Sequence, residues 1–201
     1  MQYSKYQGSR DLTWQILLDN NVTCLPVKVG DICKAMNVHI FSYSRGREYI
    51  KNFDVYARPD VNDGFAYQNN IFFNERCTLQ RQRFTVAHEL GHILLHNGGG
   101  VYNREPADSD NPIEREANVF ASRLLAHACV LWGLGVTNAG QIAELCNISM
   151  QSAKFRMERL NKLYEREKEF RQKYGRSCFL LSPAERAVYE QFREYISKHR
   201  L

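Results

Sequence analysis

Between Thr78 and His96 the chain reads as one helix, with Asn97-Gly98-Gly99-Gly100 placed to stop it. That helix carries His88-Glu89-Leu90-Gly91-His92. Two histidines at i and i+4 leave one helical face a turn apart, so both imidazoles can reach a single metal ion. Glu89 lies about a quarter-turn from His88, poorly placed to join them but within reach of a water on the metal, from which it can take a proton. Two imidazoles and a carboxylate are a donor set that favours Zn2+ with the fourth position open. Gly91 costs a helix up to about 1 kcal/mol against alanine, and the missing Cβ lets another backbone approach closely. His96 extends the stripe but sits about 12 Å along the axis from His88, too far to share one ion with both other rings.

The third ligand must come from another segment. Asn111-Pro112 opens a second helix, expected to reach about Ala128. On it Glu114 and Asn118 share a face with Ala117, Ala121 and Leu125. Small residues there suit close packing, and a carboxylate buried on that face is costly unless a metal or cation meets it. Glu116 lies nearly opposite with Val119 and Arg123, where solvent or a helical neighbour satisfies it. Glu114 is therefore preferred to Glu116 as the ligand, and Asn118 is placed to hydrogen-bond a ligand histidine and fix its tautomer.

The rest of the chain frames these helices. Residues 12–36 read as one or two helices, and Val38-His39-Ile40-Phe41-Ser42-Tyr43 and Phe53-Asp54-Val55-Tyr56-Ala57 read as β. Gly64 to Asn74 reads as a hairpin turning at Asn69-Asn70. These signals predict an α+β fold: a small antiparallel sheet of about three strands packed on a mainly helical, zincin-like core, with a helical C-terminal region. The expected division is a metallopeptidase-like domain over 1–135 and a basic helical region over 136–201. Residues 151–201 carry 13 Lys and Arg against 7 acidic residues, whereas residues 1–150 carry 14 against 15.

Six cysteines without a C-x-x-C pair, and no apolar signal core at the start, read as reduced thiols in a cytoplasmic protein. The longest apolar stretch, around Phe120–Val136, is broken by Arg123 and His127, so no membrane segment is expected.

The stretch Arg83-Phe84-Thr85-Val86-Ala87-His88-Glu89-Leu90-Gly91-His92-Ile93-Leu94-Leu95-His96, followed by Glu114-Arg115-Glu116-Ala117-Asn118-Val119-Phe120-Ala121, resembles the ImmA/IrrE family of zinc metallopeptidases. The resemblance covers about residues 25–165. The family's Glu and its Asn four residues on fall on Glu114 and Asn118. Where the second motif commonly ends in Leu-Leu-Met-Pro, this chain has Leu124-Leu125-Ala126-His127. The resemblance implies an endopeptidase of narrow specificity whose protein substrate is a helix-turn-helix transcriptional repressor, as in phage, mobile-element or stress regulation.

Site chemistry supplies the expected mechanism: Zn2+ on His88, His92 and Glu114, water deprotonated by Glu89, and a further oxyanion donor for which Tyr67 and Tyr102 are candidates. Residues 138–163 echo a helix-turn-helix, with Ala143, Asn147-Ile148-Ser149 and a second helix bearing Lys154, Arg156, Arg159 and Lys162. A helical hairpin with a solvated basic face accounts for them better than DNA contact. The alternative overall reading is a DNA- or repressor-binding regulatory module whose metal site is structural or inactive.

Overall fold

The computed structural model describes residues 7–96, 111–179 and 182–201. The glycines at 98–100, Tyr102 and the acidic residues at 108 and 110 lie outside them. The elements run α1 (Gln7–Asp19), α2 (Val29–Ala35), β1 (His39–Ser42), α3 (Tyr43–Gly46), α4 (Phe53–Tyr56), β2 (Gly64–Tyr67), β3 (Asn70–Phe73), α5 (Leu79–Leu95), α6 (Pro112–Leu125), α7 (Ala128–Gly133), α8 (Ala139–Cys146), α9 (Met150–Tyr174), α10 (Pro183–Gln191) and α11 (Arg193–His199). This is an α+β fold. Its contacts separate into two compact units, Met1–Arg10 with Lys28–Ala121, and Asp11–Val27 with Ser122–Leu201. The divisions fall within α1 and α6.

The first unit holds the sheet, in the order β1-β3-β2. The hairpin β2–β3 is antiparallel as expected, but β1 runs parallel to β3, so the sheet is mixed rather than antiparallel. The chain between β1 and β3 is long enough for the crossover that a parallel neighbour needs. The hairpin turns at Gln68-Asn69, one residue earlier than expected: Gln68 takes the positive φ (51°) and Asn70 already pairs with Tyr67. Turning at Asn69-Asn70 would instead set Phe72 opposite Tyr67 and break the cross-strand pairing of Phe72 with Phe65.

Phe53–Ala57 is a second correction, being a helical turn where a strand was expected. Phe53 is buried and Tyr56 and Ala57 pack beside it, while Val55 is 64% exposed, so burial follows i, i+3, i+4 rather than alternation.

Across the sheet Phe41, Phe72 and Phe65 are in register, with ring centroids 5.5 and 4.9 Å apart, and Tyr43 and Phe53 complete that cluster. The opposite face presents Ile71 and Ala66 toward α5. The approach is tight at Gly64, where a Cβ would run into the Thr85 methyl and lie 2.6 Å from the Phe72 carbonyl oxygen. The helix α5 begins at Thr78, whose side chain accepts from the Arg81 amide, and it buries Val86, Ala87, Leu90 and Ile93.

The second unit is helical. Gln191 donates to the carbonyls of Leu17 and Val22 at 2.8 and 2.7 Å, tying α10 to the end of α1. The helix α6 ends at Leu125, short of the expected Ala128, and α7 starts after it. Between α8 and α9 the link is Asn147-Ile148-Ser149, with Asn147 left-handed (φ 49°, ψ 55°) and Ser149 capping α9. Arg156 falls where a helix-turn-helix buries an apolar residue, and it is buried, its Nε donating to the Ala126 carbonyl at 2.6 Å, whereas Lys154, Arg159 and Lys162 are exposed. Among the described residues no helix is long and apolar enough to cross a membrane.

Candidate metal centre

The site lies wholly in the first unit, where α6 packs across α5. Gly91 makes the approach possible: a Cβ there would lie 2.9 Å from the Phe120 ring and 3.4 Å from the Ala117 Cα. The small face anticipated on α6 is the packed one, with Ala117 and Ala121 fully buried. This closeness lets a side chain of Glu114's length reach the imidazoles on α5.

His88 and His92 are buried, their ring centroids 4.7 Å apart and their Nε2 atoms 2.9 Å apart. Glu114 spans the two rings, Oε1 at 3.0 Å from His92 Nε2 and Oε2 at 3.2 Å from His88 Nε2. These ligand-capable atoms form one group that could hold a metal ion. Tetrahedral zinc with bonds of about 2.0–2.1 Å sets neighbouring ligand atoms roughly 3.3 Å apart, a few tenths more than observed here.

The proton positions also fit. Asn118 Oδ1 lies 3.0 Å from His88 Nδ1. An amide oxygen only accepts, so Nδ1 carries the hydrogen and a neutral His88 turns the lone pair of Nε2 toward Glu114. A lone pair facing a carboxylate is the arrangement a cation between them resolves. Burial pushes the Glu114 carboxyl up, but when the two rings are protonated their hydrogen bonds and charge outweigh it and hold the group well below the usual carboxylate range. The carboxylate is thus in its ligating form.

Glu89 is 1% exposed and follows His88 on α5. Glu116 is not in the group: its Oε1 accepts from Ser9 Oγ at 2.9 Å, and its Oε2 lies 3.9 Å from His96 Nε2. His96 caps the end of α5 and likewise stays outside the three-ligand group. Tyr67 packs against the aromatic cluster of the sheet, and Tyr102 lies outside the described residues. The contact that sequence reasoning missed is Ser9 on Glu116, 107 residues apart, for which no local periodicity gives a signal.

The description "IrrE N-terminal-like domain" belongs to the family model, Peptidase_M78, that matches residues 33–158, well over half of the chain. The match takes in the sheet, both site helices and the start of α9. No curated protein matches the chain.

Proposed function

Because the chain belongs to the Peptidase_M78 family of metallopeptidases, we propose that it is a zinc-dependent endopeptidase of narrow specificity, with His88, His92 and Glu114 as metal ligands and Glu89 as general base. The observation that carries this reading is the Glu114 carboxylate lying across both Nε2 atoms from a separate helix. Zinc bound there supplies a Lewis acid for the scissile carbonyl and lowers the pKa of water toward neutrality.

The chain's own residues do the remainder. Asn118 holds the proton of His88 on Nδ1, which keeps Nε2 available as a donor atom. Glu114 brings a negative charge that offsets part of the cation's charge in a buried setting. Glu89 accepts a proton on its carboxylate as water adds to the peptide carbonyl, then delivers it to the departing amine nitrogen.

The substrate we assign is a helix-turn-helix repressor, on the strength of the ImmA/IrrE resemblance. The compartment is the cytoplasm: the six cysteines are free thiols, four of them buried, as suits a reducing environment. Co-expression with a repressor encoded beside this chain tests the assignment. The expected result is one defined fragment that disappears on chelation and with Glu89→Gln; a fragment that persists in both refutes it.

A second reading, a regulatory module that binds duplex DNA, is favoured by the link between α8 and α9. Asn147 adopts the left-handed turn, Arg156 fills the buried position, and Lys154, Arg159 and Lys162 remain exposed on α9. On this reading the full chain binds duplex DNA with a steep salt dependence, which replacing those three cations with glutamine flattens by about 0.9 per lost phosphate contact.

A further inference from the structure

Glu114 stands in the first turn of α6, and the opening turn of a helix has amides without intrahelical partners and opens most readily. A metal ligand placed there needs restraint from outside its own helix. Asn111 supplies some, its Oδ1 accepting from the Ile113 amide at 3.0 Å. Two further contacts arrive from other helices. The His96 ring, at the end of α5, hydrogen-bonds the backbone of Ile113, the residue before Glu114. Two residues after Glu114, Glu116 accepts from the fully buried Ser9 of α1 and turns its other oxygen toward His96. The chain is therefore held on both sides of Glu114, by His96 before it and by Ser9, through Glu116, after it.

We infer that His96 is a positioning residue for Glu114: with Ser9 and Glu116, it fixes the first turn of α6 where the carboxylate spans both imidazoles. The inference rests on the metal-centre reading above. It gives the His96 stripe position a role other than ligation, one that leaves the ring turned to α6 rather than to the ion.

The test uses the full-length chain and two readouts besides cleavage: zinc affinity by competition with a chelating dye, and the visible spectrum of the Co2+-loaded protein. The expected result for His96→Ala is a loss of about tenfold in zinc affinity, the low end of what outer contacts to ligands contribute. Its cobalt spectrum should move toward that of Glu114→Ala. His96→Gln keeps a side-chain N–H for the Ile113 carbonyl and should restore affinity to within about threefold. Ser9→Ala and Glu116→Gln should each weaken zinc by about threefold, and they carry the test should His96→Ala not fold.

Wild-type affinity and spectrum in His96→Ala overturn the inference, as do wild-type values in both Ser9→Ala and Glu116→Gln. A cobalt spectrum in His96→Ala identical to that of His88→Ala also overturns it, by making His96 a ligand. If the unaltered chain binds neither ion, the metal centre itself falls, an outcome separate from variants that match a metal-binding parent.

Discussion

His88 and His92 in one unit and His127 in the other are all buried to 2% exposure or less, yet their surroundings have opposite electrostatic sense. On α5 the two rings meet a carboxylate that is itself held ionised. His127 instead has the Phe192 ring at 5.0 Å, its Nδ1 3.4 Å from the Arg123 carbonyl, and the like charge of Arg156 nearby. One environment attracts a cation and the other repels it. Burial of a histidine therefore marks neither a metal site nor a structural role by itself. The sign of the nearest charge separates them.

The largest expected effect is Glu89→Gln. General-base removal should lower cleavage by about 10²–10⁴-fold while zinc content, measured on the purified protein, stays near one equivalent. Glu114→Ala should instead lose the metal. His127→Phe should change neither metal content nor cleavage. Loss of zinc in His127→Phe would erase the contrast between the two units.

Next in size is an acid sensitivity that belongs to the second unit. Burial pushes the His127 imidazole down to about 4, helped by Arg156 and opposed by the backbone carbonyl of Arg123. Above the unfolded value of about 6.5 the ring is neutral in both states and this stability is complete. Below 6.5 the unfolded chain takes up a proton that the folded site refuses until about pH 4, so stability falls across that window. Denaturant titrations at pH 7 and pH 5 should differ by about 2 kcal/mol from this group, and the difference should shrink in His127→Phe. An unchanged pH dependence in that variant would show that the acid response lies elsewhere.

The same contrast explains what could be read in advance. The grouping of His88, His92 and Glu114 was legible because helical spacing fixes which side chains share a face, and a carboxylate on a small-residue face needs a partner. Gly91 was legible for its cost in a helix interior. The parallel pairing of β1 with β3 was not, since it is set by a crossover and leaves no local periodicity. Gln68 was passed over because asparagine is the more usual residue at positive φ, and Phe53–Ala57 because a β-rich composition hides a single helical turn. Arg156 stood at a position that a helix-turn-helix buries, but nothing local announced its acceptor, the Ala126 carbonyl just past α6. Local chemistry announces itself in sequence; contacts made across long separations do not.

Gly91→Ala separates packing from coordination. Alanine gains up to about 1 kcal/mol in helix propensity but meets Phe120 at 2.9 Å, an overpacking that costs typically about 1–3 kcal/mol. The net expectation is a lower melting temperature together with weaker zinc binding, because the clash drives α5 and α6 apart where Glu114 must reach. Gly133 offers the counterpart in the second unit, where a Cβ would meet Tyr189 at 2.7 Å and Ile196 at 2.9 Å. Gly133→Ala should lower stability without touching zinc affinity.

The smallest expected effect is at the helix caps. Thr78 opens the helix that bears both histidines, and Ser149 opens α9 in the other unit; each side chain accepts one amide of the first turn. Replacing either by alanine should cost about 1 kcal/mol, read as a shift in denaturant midpoint at constant slope. Thr78 is ten residues, about 15 Å, from His88, and fraying there leaves the buried middle of α5 clamped under Gly64 and Phe120. Thr78→Ala should therefore bind zinc as the parent does, like Ser149→Ala. A drop in affinity confined to Thr78→Ala would mean that α5 transmits strain along its whole length, and that the metal centre depends on the integrity of the entire helix rather than on the crossing at Gly91.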